Sequence, residues 1–170
     1  MTKVSILIQA WARPSEIQRL TLEGLTEGEL GYKLRVIRSK KSKKGRIQYK
    51  FVSRTTAVAL QTWCQRAGIE NGVIFRGVSK AGTVLDSPLS TLGVTRAMQR
   101  LARYAGKDPQ GFSGHSARIG ACQDMAIAGM DIVRIMLAGD WDSPQMPAYY
   151  ARKIATDKSG MAELARQQGR

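Results

Sequence analysis

Residues 114–152 read GHSARIGACQDMAIAGMDIVRIMLAGDWDSPQMPAYYAR, and they hold the chain's one histidine, His115, three residues before Arg118 and upstream of Trp141 and the Tyr149-Tyr150 pair. The pattern is almost entirely helical. A Gly-His-Ser turn opens a helix from His115 to Ala128, Asp131 caps a short helix through Ala138, and Ser143-Pro144 opens the helix carrying both tyrosines. His115 and Arg118 stand at i and i+3 on one helix face, where both can address one phosphate. A single histidine in a small domain is more often structural than catalytic, so its neighbours decide its meaning. An imidazole, a guanidinium and a downstream tyrosine in a strongly basic chain are groups suited to a phosphodiester.

Composition agrees with that reading. The 170 residues, 43% apolar, suffice for one globular core. Lys and Arg number 27 against 13 Asp and Glu, a formal charge of +14. Such an excess costs self-repulsion and is usually kept because a polyanion neutralises it. Nucleic acid is the first such partner and an anionic membrane surface the second. The membrane loses ground, because no apolar run approaches the ~20 residues a span needs and no signal segment opens the chain. A cytoplasmic protein without a membrane partner is expected. Cys64 and Cys122 lack C-x-x-C spacing, which signals neither a zinc site nor a disulfide framework and points to buried, reduced thiols. Two-metal nucleases need clustered carboxylates, whereas here the acidic residues are scattered. The chemistry is therefore expected to need no metal and no cofactor, with arginine, lysine and histidine donors meeting the charge on phosphate oxygens.

Upstream, Lys3 to Trp11 is apolar enough for a buried helix end, and Arg13-Pro14-Ser15-Glu16 looks like a helix start with proline and an acid in its first turn. Tyr32–Ile37 and Arg46–Val52 alternate polar and apolar residues and predict a β-hairpin, joined by a short strand near Leu25. Between them lies the densest basic cluster, Arg38-Ser39-Lys40-Lys41-Ser42-Lys43-Lys44-Gly45-Arg46. A charge run is usually a solvated tip, but in a chain this basic Arg38, Lys43, Lys44 and Arg46 are expected to contact duplex phosphates through counterion release. Ser53 to Gly68 predicts a helix with Ser53 as N-cap and Ala57, Leu60, Trp63 and Cys64 at core spacing. Val73–Phe75 reads as a short strand or buried turn and Gly77–Pro88 as a loop. Ser90–Ala105 reads as a helix with Leu92, Met98, Leu101 and Ala102 facing inward. The fold class is α+β, mainly helical, with a small antiparallel sheet at one edge. Trp141, after Gly-Asp, is by default a packing residue, and Arg152 and Lys153 are either phosphate contacts or a solvated face.

These residues resemble the tyrosine recombinases, also called phage integrases. The resemblance rests on the H-x-x-R box at His115 and Arg118, then a tryptophan, then a tyrosine. Trp141 follows Arg118 by 23 residues and Tyr150 follows Trp141 by nine, the family's intervals, which selects Tyr150 over Tyr149. Arg13-Pro14-Ser15-Glu16-Ile17 resembles the R-x-x-E-[IL] box and maps a first catalytic arginine onto Arg13 and a supporting acid onto Glu16. The family's catalytic lysine lies in the turn between two strands, usually in an R-[ST]-K triplet. Arg38-Ser39-Lys40 matches it, while counting from Arg13 lands on Lys41, so Lys40 is favoured and Lys41 stays open.

The resemblance implies that residues 1–170 are a tyrosine-recombinase catalytic domain. Double-stranded DNA is the implied partner, the implied assembly a tetramer on DNA and a monomer in free solution, and the setting bacterial or phage-encoded and nucleoid-associated. Family members usually carry an N-terminal core-binding domain, and none is expected here. It further implies strand cleavage by Tyr150 to a 3′-phosphotyrosyl link and a free 5′-hydroxyl. Trp141 takes a slot where many relatives have histidine and offers an indole N–H. Residues 156–170 imply a tail helix, with Met161, Leu164 and Ala165 at helical spacing, that docks into a neighbouring protomer or back onto its own domain.

The residue types fit this chemistry on their own terms. A phenol, with a pKa near ~10, is a poor nucleophile at neutral pH until a base takes its proton or positive charge stabilises the phenolate. Arg13 and Arg118 grip non-bridging oxygens with fixed forks that lysine cannot reproduce. His115 can accept or share a proton, and Lys40 can protonate the leaving 5′-oxygen. Two other readings stay open: a type IB topoisomerase-like nicking-closing enzyme, and a non-catalytic DNA-binding remnant of the same fold.

Overall fold

A computed structural model describes residues 12–37, 47–152 and 160–169. Lys3–Trp11, the basic cluster 38–46 and Lys153 lie outside the described residues. The chain divides into two compact units, Met1–Ala117 and Arg118–Arg170.

In the first unit, α1 (Pro14–Ile17) begins where proline's fixed φ suits a first helical position and Arg13 stays extended as N-cap. A 3-10 turn, Leu22–Gly24, leads into β1 (Leu25–Gly28), β2 (Gly31–Ile37) and β3 (Ile47–Val52). They form an antiparallel sheet in the order β1-β2-β3, with Leu34 opposite Lys50 and Tyr32 opposite Val52. The predicted period of two is realised: Leu34, Val36 and Val52 are buried, and Ile47, Tyr49 and Phe51 lie on the opposite, exposed face. The buried face packs with Ile17, Leu20, Leu60, Ile74 and Phe75 into the core.

The helix α2 (Arg54–Arg66) is capped by the Ser53 hydroxyl, which accepts from the Thr56 N–H at 3.2 Å. Its Trp63 is only partly buried, with the indole N–H donated to the Ile74 carbonyl at 2.9 Å. Val73–Phe75 is a buried turn, tied to Thr21 by one isolated bridge. The loop expected over Gly77–Pro88 is instead a hairpin of β4 (Arg76–Val78) and β5 (Val84–Pro88). A bulge between Arg76 and Val78 breaks its alternation. Its turn closes on Ser79, whose hydroxyl accepts from the Thr83 N–H while Gly82 takes φ 86, a conformation glycine adopts without strain.

In α3 (Thr91–Tyr104), capped by Ser90, the buried stripe is Val94, Met98 and Ala102. Leu92 is 56% exposed, contrary to expectation. At about 100° per residue it stands nearly opposite Val94, so only one of the two can face the core. Leu101 is half-buried.

The second unit is helical. Its boundary falls inside the first turn of α4 (Ser116–Ile127). Asp131 caps α5 (Ile132–Gly139) by accepting from the Arg134 N–H at 3.0 Å. That helix ends at Asp140, in the left-handed region at φ 56. There follow α6 (Gln145–Arg152) and α7 (Gly160–Gln167). In α7, Met161 is 73% exposed and Leu164 43%. Among the described residues no helix is long and apolar enough to cross a membrane.

Candidate active site

Within the first unit the Arg13-Pro14 turn meets the Gly114-His115 turn. The Glu16 carboxylate accepts from the Arg13 backbone N–H at 2.8 Å and from its guanidinium Nη1 at 2.7 Å. Glu16 is 4% exposed, and the Arg13 side chain remains one-third exposed. The buried acid thus fixes the fork through a charge-assisted bond and leaves part of it facing outward. Directly beside this turn, the ring of Pro14 lies against Gly114. A Cβ on Gly114 would come within 2.7 Å of Pro14 Cγ, so glycine is what lets the two segments approach. The Gly114 N–H donates to Thr95 Oγ1 on α3 at 3.2 Å. The turn is also closed by its own serines: the Ser113 N–H donates to Ser116 Oγ, and the His115 N–H donates to Ser113 Oγ. His115 is exposed.

Within the second unit, Arg118, Trp141 and Tyr150 form a contiguous stack. Arg118 is buried, 5% exposed, and its guanidinium carbon lies 4.0 Å from the Trp141 ring centroid. That is a cation–π contact which orients the fork as well as stabilising it. Trp141 in turn lies 6.3 Å from the Tyr150 ring, tilted at 59°. Tyr149 meets Tyr150 edge-on at 5.8 Å. The tryptophan is seated on Gly139, where a Cβ would fall 1.7 Å from the indole ring. From α4, the Gln123 amide donates to the Tyr150 carbonyl at 3.3 Å, and the Cys122 thiol donates to the Pro147 carbonyl at 3.6 Å. Those two bonds fix the height of α6 and hence of its tyrosines. Burial pushes the Cys122 thiol up, against the opposing pull of the Arg118 charge one turn away.

The structure therefore brings together Arg13, Glu16 and the His115 turn in one unit, and Arg118, Trp141 and Tyr150 in the other. Arg152 is exposed at the end of α6. Arg38, Lys40, Lys41, Lys43, Lys44 and Arg46 lie outside the described residues. Among the described residues no three His, Cys, Asp or Glu side chains converge as a metal site.

The family model described as the phage integrase family matches residues 2–156. This chain belongs to the phage integrase family. The recombinase Cre of Escherichia phage P1 is 34% identical over 119 residues, spanning 62% of this chain and 34% of Cre. The integrase/recombinase XerD homologue of Selenomonas ruminantium is 30% identical over 130 residues, spanning 73% of this chain and 38% of its own. The chain thus spans about a third of the length of these curated relatives. Its fold matches that of the XerH site-specific recombinase in a pre-cleavage complex with its difH substrate, at a TM-score of 0.69 and 14% identity, over 92% of this chain and 44% of that one.

Four residues that support this geometry were not singled out by motif or spacing. Gly114 and Gly139 are each defined by the ring above them, and Cys122 and Gln123 by carbonyls on a helix more than twenty residues away. The one signal available was glycine standing immediately before His115 and two residues before Trp141.

Proposed function

We propose that this chain is the catalytic domain of a site-specific DNA recombinase or integrase that cleaves and rejoins duplex DNA without a metal. The observation that carries this reading is the Arg118–Trp141–Tyr150 stack in a chain of the phage integrase family. The Tyr150 phenol oxygen attacks phosphorus, forming the P–O(Tyr) bond as the P–O5′ bond breaks. The leaving 5′-oxygen takes a proton from Lys40, with Lys41 as the alternative donor. His115 accepts or shares the phenol's proton. Arg13 and Arg118 meet the charge that grows on the non-bridging oxygens, Glu16 holds the first fork in place, and Trp141 buttresses the second and donates from its indole. A 5′-hydroxyl attacking the phosphotyrosyl link reverses the step and joins the strands.

Duplex DNA is the substrate, its backbone held by Arg38, Lys43, Lys44, Arg46 and Arg152. Residues 1–170 act as this catalytic domain, in a tetramer on DNA, with residues 156–170 as a tail helix that docks into a neighbouring protomer or back onto its own domain. The test is covalent capture on a pool of nicked suicide duplexes of randomised sequence. Wild type is expected to give a protein–DNA adduct stable to denaturant, and Tyr150→Phe none. Relaxation of supercoiled plasmid without recombinant products would instead mark a topoisomerase-like enzyme. DNA binding without any adduct would mark a non-catalytic remnant.

A further inference from the structure

Between α2 and α3, in the first unit, runs a groove of about 1150 Å³ that the proposed DNA chemistry does not use. Each helix already gives one apolar stripe to the core, Ala57, Leu60 and Cys64 from α2 and Val94, Met98 and Ala102 from α3. Each gives a second stripe, at i, i+3, i+4 and i+7 spacing, to the groove: residues 55, 58, 59, 62, 63 and 66 from α2, and 93, 96, 97, 100, 101 and 104 from α3. Of the apolar members of these second stripes, Val58 and Tyr104 are open to solvent, while Ala59, Trp63, Ala97 and Leu101 are half-buried and form the floor and walls. Val58 is 58% exposed and Tyr104 79%, while Trp63 is anchored to the Ile74 carbonyl and forms a fixed wall.

The charge of the groove is one-sided. Five arginines line it and no Asp or Glu does. Two of the five have acidic neighbours beyond the lining: Arg54 reaches Glu27 at 3.5 Å, and Arg76 reaches Asp86 at 2.9 Å and the carbonyls of Val73 and Asn71. Arg66, Arg96 and Arg100 make no ion pair among the described residues. Three guanidinia of like charge beside an apolar trough cost self-repulsion that an anionic occupant would relieve.

The shape narrows the occupant. The volume exceeds the roughly 300–1,000 Å³ of small-ligand sites, and helices of 13 and 14 residues give the trough a length of about 20 Å. A duplex would engage the arginines but leave the apolar walls wet. A helix laid lengthwise would fill the walls with its apolar stripe and meet the arginines with its flanks. The chain's own tail, Gly160–Gly169, offers one acid against one arginine and has no such complementarity. We propose that this groove docks an acidic amphipathic helix from a partner protein.

The probe is a fluorescent synthetic peptide of about 18 residues, five turns, with Leu at the i, i+3, i+4, i+7 positions and Glu on the flanks, titrated by anisotropy against the full chain. It should bind at least tenfold tighter than a scrambled peptide of equal charge. The Arg96→Gln/Arg100→Gln and Val58→Ser variants, all at exposed positions, should each weaken it about tenfold while keeping the wild-type circular dichroism. Equal binding of the scrambled peptide, or unchanged binding by both variants, overturns the proposal. So does displacement by an unlabelled Gly160–Gly169 peptide at matching concentration, which would assign the groove to the tail of a second copy. Duplex affinity falling by the same factor in the arginine variant would assign it to nucleic acid. Covalent capture by Tyr150 is read separately, so its failure and that of the groove are distinguishable.

Discussion

An added methyl at Gly139 has nowhere to go. Its position, 1.7 Å from the indole of Trp141, forces the ring off its seat and away from Arg118. Gly139→Ala is expected to cost about 1–3 kcal/mol, the range for overpacking, read from the denaturation midpoint together with a changed tryptophan near-UV signal. Gly111, with open space around its Cβ position, is the control, and Gly111→Ala should stay within about 0.5 kcal/mol. The buried thiols make a second case. Cys64 and Cys122 are both free, and burial pushes both up, opposed by Arg76 and Arg118 respectively. Their thiolates are therefore scarce near neutral pH, and a disulfide reagent should label them slowly in the native chain and rapidly in denaturant. At this scale the sequence was most legible where spacing carries meaning and the structure shows the contact, as for Arg118, Trp141 and Tyr150. It was least legible at Gly114 and Gly139, because a glycine does not announce which ring will stand over it.

Among the elements, the caps were readable and the short hairpin was not. Ser53 and Asp131, both expected as caps, each accept from the backbone N–H of the third residue after them, a local bond that a local pattern predicts. By contrast β4 and β5 carry a bulge and a long mixed turn, so their alternation is broken before a period of two can register. The 3-10 turn at Leu22–Gly24 shows how such pieces are tied. The Glu23 carboxylate accepts the Gly72 N–H at 2.7 Å, and this bond, the largest influence on it, holds the carboxyl below the ordinary carboxylate range. Because the folded value is the lower one, the tie contributes stability above the ordinary range and loses it as pH falls through the lowered value. Thermal midpoints of wild type and Glu23→Ala should accordingly differ most near neutrality and converge in acid.

For the whole molecule, the family and the α+β class were both legible, since ordered boxes and helical periods survive without knowledge of packing. The division into two units was not, because the boundary falls inside a continuous helix and leaves no linker composition to mark it. Nor was the outer sheet face, where alternation predicts which residues turn outward but not that Ile47, Tyr49 and Phe51 would all be more than half exposed on a strand that ends the sheet. Beside them stand Lys33 and Arg35 on β2. Such a stripe is a template for pairing with another copy, and a net charge of +14 keeps copies apart. That protection depends on the buffer. Raising salt from 0.1 M to 1 M shortens the screening length from about 10 Å to about 3 Å while strengthening apolar association. Light scattering should therefore register reversible clustering at high salt, abolished in Tyr49→Lys/Phe51→Lys. Colloidal behaviour in this protein thus balances one adhesive row of a small sheet against the positive charge spread over the whole chain.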